Sequence, residues 1–142
     1  ELTIAVNHLA PFLLTNLLLD KIKKSAPARI VVVASEAHRG VKLDLDDLMG
    51  KRGGVGFRAY SRSKLANILF TRSLAKRLEG SGVTINAVHP GVVHTGLLSS
   101  SSTPYKLIMI LGGWLMRSPQ QGARTSIYLA SSPEVEGRIV VK

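Results

Sequence analysis

Tyr60 and Lys64 stand four residues apart in the stretch Tyr60-Ser61-Arg62-Ser63-Lys64. On a helix this spacing stacks the two side chains on one face. An ammonium beside a phenol favours the phenolate, and a phenol tuned that way can give and take a proton at physiological pH. Taken alone the pair is common on surface helices. Its weight comes from its company: Asn7, Ser35 and Pro90-Gly91-x-x-x-Thr95, in that order along the chain.

The elements that must position these residues are readable from periodicity. Glu1 to about Lys24 reads as a helix, with Ile4, Leu9, Phe12, Leu13, Leu17 and Leu18 as a broad apolar face and Lys21, Lys23 and Lys24 near its C-terminal end. Pro11 is at odds with a helix interior, because it has no N–H and crowds the carbonyl four residues back, that of Asn7. The expectation is a kink that leaves this carbonyl free to bind a water. Arg29 to Ala34 is a short run rich in β-branched residues, as in a strand buried on both faces. Ser35 closes it, at the strand end where open α/β sheets bind ligands, although a turn serine reads as well there.

Residues 36 to 58 are irregular. The cluster Gly53-Gly54-Val55-Gly56 follows no strand and lacks the spacing of a dinucleotide fingerprint, so a loop is expected rather than a phosphate cradle. Tyr60 to about Glu79 reads as an amphipathic helix carrying Leu65, Ile68, Leu69, Phe70, Leu74 and Leu78. Val83 to His89 reads as a strand stopped by Pro90-Gly91. The small-residue linker Ser99 to Thr103 leads into the apolar run Leu107 to Met116, followed by a helix over Pro119 to Ala130 and a last strand over Arg138 to Val141. Ten apolar residues are too few to cross a bilayer, which needs roughly 20. A buried helix, a lid over a lipophilic substrate about 99–118, and a segment dipping into a membrane surface all remain open for this run. The alternation of helix and strand predicts an α/β fold with a parallel sheet and right-handed crossovers.

Composition narrows the function classes. The net charge of +10 raises nucleic acid or an anionic surface as partners. The basic residues are scattered, however, among them Lys21, Lys23, Lys24, Arg29, Lys51, Arg52, Arg72, Lys76 and Arg77, so solvated helix faces are expected and nucleic acid is not. There is no cysteine, which excludes disulfides and thiol chemistry. Asp44, Asp46 and Asp47 read as a solvated loop or helix cap, and His89 and His94 have no third ligand at metal-like spacing, so no metal is expected.

Four stretches carry a resemblance: Asn7 to Thr15, Arg29 to Ser35, Tyr60 to Asn67 and Val88 to Thr95. With them the chain resembles the short-chain dehydrogenase/reductase family, and its retinol-dehydrogenase-like branch in particular. The resemblance implies a Rossmann-like doubly wound parallel sheet, of which this chain is expected to be the C-terminal portion with three strands. It also implies hydride transfer between NADP or NAD, with NADP favoured, and an alcohol or carbonyl. Tyr60 would be the catalytic acid or base, Lys64 would favour its phenolate and bind the nicotinamide ribose, and Ser35 would hold the substrate oxygen. Asn7 would position a relay water. Pro90, Gly91, Val93 and Thr95 would line the nicotinamide side. The 25 residues from Ser35 to Tyr60, with the apolar run, suggest a lipophilic substrate such as a retinoid, a steroid or a lipid aldehyde. A homodimer mate and a membrane surface are partners left open, and an intracellular location is expected. An inert fragment, or a binding or regulatory protein of the same fold, is the competing reading.

Overall fold

The computed structural model describes residues 2–50, 56–91, 93 and 118–135. The first helix is built in three pieces: α1 (Leu2–Ile4), a π-turn (Ala5–Leu9) and α2 (Ala10–Lys24). The π-turn resolves the difficulty posed by Pro11. Ala10 N–H bonds back five residues to the Ala5 carbonyl, and the proline then falls in the first turn of α2, where a missing N–H costs least. Lys21, Lys23 and Lys24 occupy the last turn of α2, where positive charge suits the exposed carbonyls. Ser25 closes that turn, with its N–H and its hydroxyl both donating to the Lys21 carbonyl.

Strand β1 (Ala28–Val33) pairs parallel with β2 (Val83–Val88), residue 28 opposite 83 through residue 33 opposite 88. One further bond, Ala34 N–H to the Val88 carbonyl at 2.8 Å, carries the ladder to the residue before Ser35. The long helix α3 (Phe57–Arg77) connects the strands, and α4 (Pro119–Ser131) follows β2. Helix α3 starts three residues before Tyr60, at a Gly56 cap whose φ of +64° favours glycine. A capping box fixes the start of α4: Ser118 Oγ accepts from Gln121 N–H, and Gln121 Oε1 accepts from Ser118 N–H.

The two-residue period of β1 sorts its side chains between two layers. Ala28, Ile30 and Val32 pack with Leu19, Leu74, Leu78, Val83 and Ile85, under α2 and α3. Val31 faces the other way, toward Val88, Leu129 and Val135. Arg29 shares that side and donates to the carbonyls of Ser132 (2.6 Å) and Leu129 (3.5 Å), closing the C-terminal end of α4. It is therefore a structural cap and not a solvated charge. Leu74 and Ile85 are fully buried, each contributing about 1.5–3 kcal/mol relative to exposure.

Among the described residues the helices and strands fall where periodicity places them, with two corrections. Strand β1 is not buried on both faces: Val33 is 48% exposed, and among the described residues β1 pairs with β2 alone. The broad apolar face expected on the first helix also stays largely open, with Leu13 57% and Leu17 72% exposed, because α2 packs on the core through Leu19 and Ile22 instead. By length and composition Leu2–Lys24 could cross a membrane, yet its Asn7 and His8 side chains bond to Ser63 and Asn67 of α3. The expected last strand at Arg138 to Val141, the apolar run Leu107 to Met116 and Gly53 to Val55 lie outside the described residues.

Candidate active site

Helix α3 carries the centre of the site. Its register puts Tyr60 and Lys64 on one face, and the Lys64 ammonium lies 5.5 Å from the centroid of the Tyr60 ring. Lys64 Nζ donates to the Val33 carbonyl at 3.0 Å, at the C-terminal end of β1. Burial holds its ammonium below the ordinary lysine value, because the charged form loses solvation there. One of its three N–H donors is used on Val33, which leaves two for another acceptor.

Asn67 is the residue that sequence reasoning passed over. It is 3% exposed, and its amide is saturated. Nδ2 donates to the carbonyls of Asn7 (3.0 Å) and Val33 (3.3 Å), while Oδ1 lies 2.9 Å from His8 Nδ1. With the amide nitrogen committed to two carbonyls, Oδ1 must accept, so His8 carries its proton on Nδ1. The Asn7 side chain in turn donates to Ser63 Oγ at 3.1 Å, and Ser63 donates to the Tyr60 carbonyl at 2.6 Å. The first helix, β1 and α3 are thus tied at one knot one turn along α3 from the Tyr60–Lys64 pair. The signal was present in the sequence: Asn67 lies three residues after Lys64, one turn along the same face, as a polar residue inside an apolar helix.

The knot revises the expectation for Asn7. Its carbonyl does escape the α-helical pattern ahead of Pro11, but the Asn67 amide donates to it. Asn7 reaches the site through Ser63 and Asn67.

Ser35 is extended (φ −158°, ψ 149°) and caps a short 3₁₀ turn, Glu36–His38, its Oγ accepting from Ala37 N–H at 3.2 Å. His38 Nδ1 lies 2.7 Å from the Ser35 carbonyl, so Nδ1 is the protonated nitrogen. A cavity of about 590 Å³ opens beside Ser35, lined also by Glu36, His38, Arg39, Ile68 and His89. Residues from beyond both strand ends line it, where ligands bind in open α/β sheets. Tyr60 and Lys64 are not in its lining.

After β2, His89 Nδ1 accepts from Gly91 N–H at 3.3 Å, and its Nε2 faces Glu36 Oε2 at 3.5 Å, joining the two strand-end loops. Gly91 has φ +79°, a conformation that glycine adopts at no steric cost. Pro90 is half-buried. Val93 packs against Gly122 of α4 so closely that a Cβ there would sit 2.5 Å from Val93 Cγ2. Thr95 and His94 lie outside the described residues. Among the described residues, no group of three His, Asp or Glu side chains is placed to hold a metal ion.

The short chain dehydrogenase family profile matches residues 1–106. Retinol dehydrogenase 14 of Homo sapiens is 53% identical over 140 residues, which is 96% of this chain and 42% of that protein. The chain therefore spans less than half the length of the curated relatives it matches. Among solved structures, an uncharacterised protein from Mycobacterium Paratuberculosis superposes with a TM-score of 0.66 at 35% identity, over 97% of this chain and 44% of that one. A 4-hydroxyisoleucine dehydrogenase mutant complexed with NADH and succinate shares the fold with a TM-score of 0.69 at 24% identity, over 98% of this chain and 55% of that one.

Proposed function

The chain belongs to the short-chain dehydrogenase family, and we propose that the protein carrying it moves hydride between a nicotinamide cofactor and a lipophilic alcohol or carbonyl. The observation that carries this reading is the Tyr60–Lys64 pair, with the ammonium 5.5 Å from the phenol ring and anchored on the Val33 carbonyl. Among the described residues Lys64 spends one N–H donor, on Val33, which leaves two for ribose hydroxyls, and Gly91 offers backbone without a side chain after β2; both suit a nicotinamide nucleotide.

When bound, the nicotinamide supplies or accepts the hydride. The protein's own residues handle the proton and the oxygen. In the reducing direction Tyr60 gives its phenolic proton to the carbonyl oxygen as the carbon gains hydride. Ser35 holds that oxygen with its hydroxyl, whose oxygen already accepts from Ala37 N–H and whose proton is left to donate. Tyr60 recovers its proton through Lys64. Asn7 serves this path as part of the frame, since the second lone pair of its carbonyl can hold a relay water beside Asn67. Pro90, Gly91, Val93 and Thr95 form the nicotinamide side.

NADP is proposed over NAD, and a retinoid, steroid or lipid aldehyde as substrate; relatives of about 50% identity are named retinol dehydrogenases. The test is an absorbance assay of the protein carrying this chain, with retinal, a steroid ketone and a long-chain aldehyde against NADPH and NADH. The reading expects oxidation of NADPH with at least one of the three. Tight cofactor binding without turnover on any of them would favour a binding or regulatory role.

A further inference from the structure

A second cavity, of about 430 Å³, lies where the loop after β1 meets the start of α3. Its lining includes Val41, Phe57, Ser61 and three cations, Arg39, Lys42 and Arg58. Arg39 is engaged by Glu36, whereas Lys42 and Arg58 have no ion-pair partner among the described residues. The start of α3 adds its own positive end. The cap is Gly56 with no side-chain bond, and no acidic residue stands in the first turn. A helix start normally favours negative charge, and its first N–H groups need acceptors. Here Arg58 occupies that turn instead, an arrangement that is unfavourable unless an anion sits nearby.

An independent observation points the same way. Ser61 is 1% exposed, and its hydroxyl is buried without a hydrogen-bond partner among the described residues. Its neighbour Ser63, on the same helix, is fully bonded. Buried hydroxyls are nearly always satisfied, and one left open at a cavity wall marks a missing acceptor or donor.

We propose that this cavity binds a phosphate monoester bearing an apolar substituent. A tetrahedral dianion matches two uncommitted cations, the N–H groups at the start of α3 and the Ser61 hydroxyl. The cavity is larger than a bare phosphate, and Val41 and Phe57 supply apolar wall for an organic group. The phosphate could come from a soluble monoester or from a lipid headgroup. The cavity adjoins the Tyr60 ring through Phe57, at 6.2 Å between ring centroids, but neither Tyr60 nor Lys64 lines it, and it shares only Arg39 with the cavity beside Ser35.

The test is titration calorimetry on the protein carrying this chain, with inorganic phosphate, octyl phosphate, and phosphatidylcholine vesicles with or without phosphatidic acid. Octyl phosphate is expected to bind at least about tenfold more tightly than inorganic phosphate, by burying its chain. The surface double variant Lys42→Glu, Arg58→Glu is expected to weaken binding by at least about tenfold, and Ser61→Ala by about threefold or more, with nicotinamide-cofactor affinity unchanged in both. Binding confined to phosphatidic-acid vesicles and abolished by the double variant assigns the phosphate to a lipid headgroup. Binding of octyl phosphate in solution assigns it to a soluble monoester. The proposal is overturned if neither arm binds, if the double variant binds as well as the parent, or if the variants lose cofactor affinity instead. The last result would place these cations in the cofactor site.

Discussion

Ser61 and Ser63 are two residues apart on one helix, equally buried, and opposite in circumstance. Ser63 accepts from Asn7 and donates to the Tyr60 carbonyl, while the Ser61 hydroxyl has no partner among the described residues. The contrast extends to their surroundings. On the Ser63 side, Asn67, Asn7, His8 and Lys64 are joined to one another or to the Val33 carbonyl. On the Ser61 side, Lys42 and Arg58, without ion-pair partners among the described residues, line the same cavity as a helix start that has no side-chain cap. A buried polar network that is satisfied internally rigidifies what it touches. One that is unsatisfied is costly unless something outside the chain completes it. The first region therefore reads as the frame of a catalytic face, and the second as a receptor.

That distinction can be broken by mutation. Asn67→Ala removes the donor to two carbonyls and leaves His8 without its acceptor, so a loss of about 3–5 kcal/mol in denaturant unfolding is expected. A loss below about 1 kcal/mol would mean that the knot does not hold the fold together. Gly122→Ala drives a Cβ into Val93 and should cost about 1–3 kcal/mol, with weaker cofactor binding because Val93 shifts. Unchanged stability and cofactor affinity would remove Val93 from the site. The serines sharpen the comparison most finely. Ser63→Ala should cost about 1–2 kcal/mol, whereas Ser61→Ala should stay within about 0.5 kcal/mol of the parent in the absence of ligand. Equal costs would erase the difference between the two regions.

The smallest effect concerns Lys64. Burial lowers its pKa from the ordinary value of 10.5, so in the folded protein it loses its proton at lower pH than in the unfolded chain. Between the two pKa values the unfolded chain binds more protons. The burial penalty is therefore in force below the folded pKa and fades as pH rises toward 10.5. Competitive amine labelling across alkaline pH should show Lys64 becoming reactive at lower pH than a free lysine side chain of ordinary pKa 10.5. Onset at the same pH would contradict its desolvated placement.

The spacing of Tyr60 and Lys64 and the strand ahead of Ser35 were legible because each depends on local periodicity. Helix α3 keeps its register whatever surrounds it, so residues four apart must share a face. The knot was not legible, because its partners are about 60 positions apart: Asn7 meets Ser63, and His8 meets Asn67. Pro11 could be recognised as an anomaly but not explained, since a π-turn and a kink answer the same missing N–H. Arg29 read as a surface charge because its acceptors, at Leu129 and Ser132, lie a hundred residues away. The cations around Ser61 are ordinary in sequence, and only the fold of the loop onto α3 gathers them.

The central claim is that the framed face carries proton transfer. It is tested most directly by turnover of Tyr60→Phe in the protein carrying this chain, beside Ser61→Ala as the control from the other region. The phenyl ring keeps the shape and lacks the transferable proton. The expected result is a fall in kcat of about a thousandfold or more for Tyr60→Phe, with cofactor affinity within about threefold of the parent and Ser61→Ala near parental turnover. Tyr60→Phe turning over within about threefold of the parent, a loss of under about 1 kcal/mol of transition-state stabilisation, would contradict it.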